Sequence, residues 1–211
     1  MKALSFYRRL PLAVRLRAAI RANTCPMEAI LRRVPDQGRL LEVGCGHGLF
    51  ANEAALRSPR LSVLGIDPAS GSIRCAQATV GSRRNLAFHC RRVEELCDGH
   101  FDAIAILDVL YVVPRLSWPA FLGACRERLR PGGRLILKEV DTMPRWKFYK
   151  CLAQEIISVR LLRITLGNQL TFVSRHEMGR VIKEADFRDV TVTDLGRGYS
   201  VPHILYEATR T

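Results

Sequence analysis

The chain has 211 residues, of which 48% are hydrophobic and 25% are charged, and we expect one globular domain over residues 1–211. No uncharged apolar run reaches the ~18 residues of a transmembrane helix, and the first 25 residues do not have the pattern of a secretory signal. The net charge of +13 leaves nucleic acid, an anionic membrane surface and an acidic substrate open as partners, and it is also compatible with a composition bias that serves no partner.

Seven cysteines are spread along the chain without any Cys-x-x-Cys pair. An odd number without that spacing argues against a disulfide framework and against a structural zinc site. We therefore expect reduced thiols, no metal and a cytoplasmic protein.

The N-terminal segment, residues 1–37, is basic and predicted to be helical. Apolar residues recur at helical spacing from about residue 10 to residue 33, and Pro26 is expected to separate two helices. Arginines occupy much of the remaining surface of these helices.

Strands and helices then alternate along the chain. Strands are predicted at 39–43, 61–66, 86–92, 101–107 and 134–140, with helices at 48–58, 71–81 and 118–129. This alternation is typical of right-handed βαβ units that form a parallel sheet with helices on both faces.

The C-terminal part is different. A helix is expected after Ser174, which has the side chain of a helix N-cap. Two strands, 189–195 and 202–209, are joined by a short glycine-containing loop, which requires them to be antiparallel.

The stretch LLEVGCGHGLF, residues 40–50, places Gly44, Gly46 and Gly48 directly after the first strand. The dinucleotide fingerprint needs a glycine where Leu49 stands, and a phosphate-binding loop needs a lysine after the glycines. Neither is present, so both phosphate interpretations weaken.

Two carboxylates flank this turn. Glu42 precedes it and suits a ligand with an amino group, whereas it would repel a pyrophosphate. Asp67 ends the second strand and is well placed to accept hydrogen bonds from both hydroxyls of a ribose. The ligand then resembles an amino acid attached to a nucleoside.

The motifs LLEVGCGHGLF, VLGIDPA, FDAIAILDVL and LRPGGRLIL occur in an order that resembles the class I S-adenosylmethionine-dependent methyltransferases. The resemblance covers about residues 38–141, and the terminal hairpin extends it. It implies a doubly wound α/β fold with a mostly parallel seven-stranded sheet and an antiparallel last strand. It also implies a helical lid, residues 142–170, between strands 5 and 6.

The resemblance also implies the residues that bind S-adenosylmethionine and its product S-adenosylhomocysteine. Glu42, Gly44, Cys45, Gly46 and Gly48 would hold the methionine part, Asp67 the ribose and Pro68 the adenine, and Asp108 would lie near the methionine end and the acceptor. This chain departs from the family pattern after the third strand, where many members carry an acid. Arg92 and Val93 stand there, so a backbone contact from Val93, or the neighbouring Glu94, would replace it.

Two related enzyme classes fit less well. A short-chain dehydrogenase would need Tyr-x-x-x-Lys, which the chain lacks. The DVLY stretch, residues 108–111, lacks the two prolines of the motif with which DNA amino methyltransferases present a carbonyl group. Nucleic acid is therefore the less favoured acceptor.

Methyl transfer needs alignment of a nucleophile, and a base when the acceptor is a poorly acidic hydroxyl. His203, Tyr111 and Asp141 are the catalytic candidates, because each is expected at the carboxyl ends of the strands. His203 is favoured as the base because its pKa suits neutral pH. A structural histidine at a strand end is an equally open interpretation.

The segment 145–166 has an apolar helical stripe and basic residues, as the N-terminal helices do. Both could cover an apolar pocket, lie on an anionic membrane, or simply pack on the core. We expect O-methylation of a small, apolar or amphipathic molecule, with N- and C-methylation open. Contact with an anionic membrane or an acidic carrier, RNA or protein methylation, a non-catalytic cofactor-binding module and any oligomeric state stay open.

Overall fold

The computed structural model describes residues 1–97, 99–149, 152 and 170–211. Within these residues seven strands form one sheet in the spatial order β3-β2-β1-β4-β5-β7-β6. The strands are β1 (Gly38–Val43), β2 (Leu61–Ile66), β3 (Leu86–His89), β4 (Phe101–Leu107), β5 (Leu129–Val140), β6 (Phe187–Asp194) and β7 (His203–Arg210).

The first five strands are parallel, and β7 is antiparallel to both of its neighbours, β5 and β6. This confirms the predicted mixed sheet with a reversed last strand. The chain order reverses between β1 and β4, so the loops after these two strands diverge. Such a switch point opens a crevice at the carboxyl edge of the sheet.

The uninterrupted apolar sequence of β4 reflects burial on both faces of the sheet. Ala103, Ala105 and Leu107 pack into the hydrophobic core on one face. Ile104 and Ile106 pack into the core on the other face. Side chains alternate along a strand, and here both sets are covered.

Six helices with defined bounds surround the sheet in the described part of the chain. They are α1 (Leu12–Thr24), α2 (Met27–Leu31), α3 (Leu49–Arg57), α4 (Ser70–Gln77), α5 (Trp118–Arg128) and α6 (Arg175–Glu184). The break at Pro26 and the N-cap at Ser174 are confirmed, since the Ser174 hydroxyl accepts a hydrogen bond from the amide of Glu177 at 3.3 Å. No helix among the described residues has the length and apolarity to cross a membrane.

Two strand boundaries differ from the prediction by three residues or more. β3 ends at His89, and β5 begins five residues early, at Leu129. Between Leu129 and Arg134 the chain adds extra residues opposite β4, and Gly132 has a φ of +73°. The RPGG stretch is therefore an irregularity within β5, a β-bulge that glycine makes possible.

The predicted lid is described only in part. Residues 145–149 are helical. The rest of its apolar stripe beyond Leu152 (Ile156, Val159 and Leu162) lies outside the described residues, and the lid stays a prediction.

Candidate active site

The glycine turn after β1 is left-handed at Gly44, Gly46 and Gly48, where φ is +72°, +53° and +79°. A Cβ at Gly44 would lie 2.4 Å from the Val109 side chain, and one at Gly48 would lie 2.4 Å from the Phe88 ring. A Cβ at Gly46 would meet nothing within 4 Å. The turn is thus closely packed at its two ends and open at its centre, where a ligand could approach the backbone.

Asp67 joins this turn to the end of β2. Its Oδ2 accepts a hydrogen bond from the amide of Gly46 at 2.9 Å, and its Oδ1 accepts one from the amide of Ala69 at 2.8 Å. Pro68 beside it is exposed. Each carboxylate oxygen can accept a further hydrogen bond, so Asp67 keeps acceptor capacity at the edge of the crevice.

Glu42 lies beneath the turn, where only 4% of its surface is exposed. Its Oε2 accepts a hydrogen bond from the amide of Ala51 at 2.9 Å, which ties it to α3. Burial raises the pKa of Glu42 to about 8, against the opposing effect of Arg21. A cationic group bound beside Glu42 would favour its ionised form.

Two other residues predicted to contact the cofactor have side chains with little hydrogen-bonding capacity. Cys45 is buried within the turn, and burial raises the pKa of its thiol. Val93 is 1% exposed, in a short 3-10 turn after β3. A contact from Val93 to a ligand would therefore come from its backbone.

Asp108 directly follows β4, has a φ of +60° and is held by two cations. Its carboxylate lies 2.5 Å from Lys138 Nζ and 3.2 Å from Arg21 Nη1. Burial raises the pKa of Asp108, but Lys138 and Arg21 outweigh it, and the pKa lies below its usual value. Asp108 is therefore ionised at neutral pH.

Three residues at this edge were missed by the sequence reasoning: Arg21, Lys138 and Glu139. Lys138 and Glu139 are 1% and 4% exposed, and Glu139 accepts hydrogen bonds from two amides that follow β4. The two charged residues inside the apolar strand RLILKEV could have indicated a buried polar network, because such residues are seldom buried without a partner. Arg21 is one of 28 arginines, and nothing in its sequence context sets it apart.

His203 begins β7 opposite Val140, at the carboxyl edge of the parallel strands. Its Nε2 lies 2.7 Å from the carbonyl oxygen of Thr24, at the end of α1. A carbonyl only accepts, so Nε2 carries the hydrogen and Nδ1 is left with its lone pair. Nδ1 is buried and has no hydrogen-bond partner among the described residues. Burial, assisted by Lys138, lowers the pKa of His203 to about 4, so the imidazole is neutral at physiological pH.

His203 and Asp141 line one open cavity of about 420 Å³. Asp141 is 2% exposed and accepts hydrogen bonds from Arg175 Nε at 2.9 Å and Nη2 at 2.6 Å. Its carboxylate is thus bound to the first residue of α6.

Tyr111 is not among the residues that line this cavity. Its ring stacks on Phe172 with centroids 5.1 Å apart, and Phe148 meets Phe172 edge-on at 5.3 Å. These three rings form an aromatic cluster that joins the segment after β4 to the start of the predicted lid and to the residues that follow it.

The carboxyl edge therefore combines an open glycine turn, acids at the ends of β1, β2 and β4, and a buried neutral histidine. A family model described as a methyltransferase domain matches residues 15–192. The chain belongs to this family.

Two proteins that are similar in sequence to this methyltransferase domain are named as O-methyltransferases. The ubiquinone biosynthesis O-methyltransferase of Alkalilimnicola ehrlichii is 30% identical over 152 residues, which make up 70% of this chain and 60% of that protein. The protein of the same name from Chromobacterium violaceum is 28% identical over 179 residues, which make up 82% of this chain and 75% of that protein. The methyltransferase domain thus spans less than two thirds of the first of these relatives.

Solved structures share the fold of the methyltransferase domain. The S-adenosylmethionine-dependent methyltransferase SibL, in its apo form, superposes with a TM-score of 0.72 at 22% identity. The superposition covers 94% of this chain and 58% of that one. The class I methyltransferase fold implied by the motifs is confirmed.

Proposed function

We propose that this methyltransferase domain transfers a methyl group from S-adenosylmethionine to a hydroxyl oxygen of a small, apolar or amphipathic acceptor, with release of S-adenosylhomocysteine. The family and the O-methyltransferases among its relatives support this reaction. The basic charge of the chain supports an accompanying contact with an anionic partner, either a membrane or an acidic carrier.

The residues around the glycine turn fit this cofactor. Gly46 leaves open space beside the backbone, Glu42 offers a buried carboxyl for an amino group, and Asp67 keeps acceptor capacity for ribose hydroxyls. We assign the remaining contacts to Gly44, Cys45, Gly48, Pro68, the Val93 backbone and Asp108. When bound, S-adenosylmethionine supplies a methyl group on a positively charged sulfur, and the protein has only to position the acceptor.

His203 is the proposed base, and the observation that carries this assignment is a buried Nδ1 without a hydrogen-bond partner among the described residues, in a residue that lines the cavity. The hydrogen bond to the Thr24 carbonyl selects the tautomer whose lone pair is on Nδ1. As the acceptor oxygen attacks, Nδ1 takes up its proton. A developing oxyanion beside the ring would raise the pKa of His203 again, since an opposite charge favours the protonated form.

We propose supporting roles for the other two candidates. Asp141 holds Arg175, and so positions α6 beside the cavity. Tyr111, stacked on Phe172, forms an aromatic boundary on which a planar acceptor could pack.

Cofactor binding can be tested by calorimetry with S-adenosylhomocysteine. We expect Asp67→Ala to weaken binding at least tenfold, because a hydrogen bond from a ligand hydroxyl to a charged group contributes about 1.5–3 kcal/mol. Asp36→Ala, at an exposed acid before the amino end of β1 and therefore at the opposite edge of the sheet from the turn, serves as the control. Absence of binding by the unaltered protein would overturn the cofactor assignment.

The acceptor can be identified by transfer of a tritiated methyl group to lipid, small-molecule, RNA and protein fractions. Label in the small-molecule or lipid fraction supports the proposal, and label only in RNA or protein contradicts it.

His203→Ala should lower kcat by about 10²–10⁴ while sparing cofactor binding. His176→Ala, at an exposed histidine on α6, should leave kcat unchanged. Equal activity of both variants would make His203 a structural residue.

A further inference from the structure

Helix α1 is apolar on two opposite faces. Val14 and Ala18 point into the core and are 8% and 5% exposed. On the outward face Leu12, Leu16 and Ile20 are 64%, 53% and 61% exposed. Their spacing of four residues places them in one stripe along the helix. A helix that is apolar on both faces is expected to be covered on both.

A second exposed apolar group follows β5. Met143, Trp146 and Tyr149 are 53%, 65% and 60% exposed. Met143 lines the same cavity as His203, and the carbonyl of Thr24 at the end of α1 is bound by His203. Both exposed groups therefore belong to elements that border the proposed acceptor site.

Charge indicates what covers the stripe. With 3.6 residues per turn, Arg15 and Arg17 lie on either side of Leu16, and the exposed Arg8 and Arg9 precede the helix. A second copy of a chain with net charge +13 would bring like charges together. The segment 145–166 has five basic residues and one acidic residue, and it would do the same.

An anionic lipid surface supplies what the stripe lacks, namely apolar depth between negatively charged headgroups. Such surfaces hold helices that combine an apolar face with arginine flanks, and tryptophan and tyrosine favour the boundary between lipid and water. We propose that the outward face of α1, together with Met143, Trp146 and Tyr149, docks this enzyme on an anionic bilayer. The benefit of docking rests on the proposed function, since an acceptor dissolved in lipid would reach the cavity from the membrane.

The docking surface can be tested by sedimentation of the full chain with phosphatidylglycerol–phosphatidylcholine vesicles and with pure phosphatidylcholine vesicles. We expect binding to the anionic vesicles that weakens as salt is added, with little binding to the neutral ones. The triple variant Leu12→Ser, Leu16→Ser, Ile20→Ser should bind at least ~10-fold more weakly. Leu116→Ser, at a leucine that is 95% exposed before α5, is the matched control and should bind like the unaltered protein.

Tryptophan fluorescence of the unaltered chain gives a readout that needs no folded variant. Trp118 is fully buried and Trp146 is mostly exposed, so a blue shift on addition of anionic vesicles would report Trp146. Trp146→Phe should abolish that shift. Calorimetry with S-adenosylhomocysteine on the triple variant checks its fold and separates a failed docking surface from a failed cofactor assignment.

Three results would overturn the inference. The first is no binding of the unaltered protein to anionic vesicles and no blue shift. The second is equal binding by the triple variant and the unaltered protein. The third is a dimer that the triple variant dissociates, because the stripe would then be covered by a second copy.

Discussion

Substitution of Lys138 by methionine tests whether the charged network beneath the crevice is an essential part of the fold. Lys138 Nζ lies 2.5 Å from Asp108, and the two side chains are 1% and 11% exposed. Methionine has nearly the length and volume of lysine and packs adaptably, so little cavity should form. The substitution therefore isolates the loss of the cation that neutralises Asp108.

The expected cost follows from these contacts. Removal of one partner from a buried ion pair typically costs about 3–5 kcal/mol, because the other charge stays buried and uncompensated. Arg21 remains 3.2 Å from Asp108, but its side chain is 38% exposed and screened by water. The contact that Arg21 keeps with Asp108 should offset about 1 kcal/mol of this loss. A net loss of about 2–4 kcal/mol would lower Tm by roughly 5–15 °C for a chain of this size.

The free energy of unfolding can be measured by urea titration with circular dichroism for Lys138→Met, Asp108→Asn and the double variant. The double variant should lose less stability than the sum of the two single losses, by at least about 1 kcal/mol, because neither charge is then left unpaired. Lys183→Met, at an exposed lysine on α6, should change stability by no more than ~0.5 kcal/mol. A loss below ~1 kcal/mol for Lys138→Met, or strict additivity in the double variant, would show that Asp108 does not depend on Lys138 for compensation of its charge.

Other predictions concern the turn and the buried acid. Gly48→Ala forces a left-handed alanine against Phe88 and should lower the free energy of unfolding in urea by about 2–4 kcal/mol. Gly123→Ala, in open space on α5, should instead raise it by up to ~1 kcal/mol. Equal effects of the two substitutions would contradict the packing argument. The pKa of Glu42 is raised to about 8, so the folded chain keeps a proton that the unfolded chain loses, and the contribution of Glu42 to stability should fall as pH rises from about 4.5 to 8. Glu42→Gln should flatten this decline, Glu28→Gln at an exposed acid should not, and identical pH profiles would show that Glu42 titrates normally in the folded chain.

Much of the sheet could be predicted because its information is local. The buried strand β4 is apolar throughout, the N-cap needs only Ser174, and the break between two helices needs only Pro26. The predicted strand boundaries were wrong where a local sequence pattern is compatible with two different structures. The RPGG stretch reads as a turn, but pairing with β4 draws it into β5 as a bulge. No local rule decides whether a neighbouring strand is present to pair with.

The residues proposed to bind the cofactor could also be nominated from sequence. Its spacing of glycines and acids follows one strand–turn–helix unit and the next strand, so that neighbours in sequence are neighbours in space. For the catalytic side, sequence could nominate His203 by its position but not assign its tautomer. The tautomer depends on the carbonyl of Thr24, which is 179 residues away.

The alternation of elements, the glycine turn and its flanking acids could be recognised in the sequence, because periodicity, backbone freedom and charge belong to short stretches of chain. Three other features exist only in the folded chain: Arg21 meets Asp108 across 87 residues, Lys138 is almost fully buried, and the outward face of α1 is left apolar and exposed. These features depend on where α1 docks against the carboxyl edge of the sheet. That position is set by the packing of the whole chain and not by any one segment.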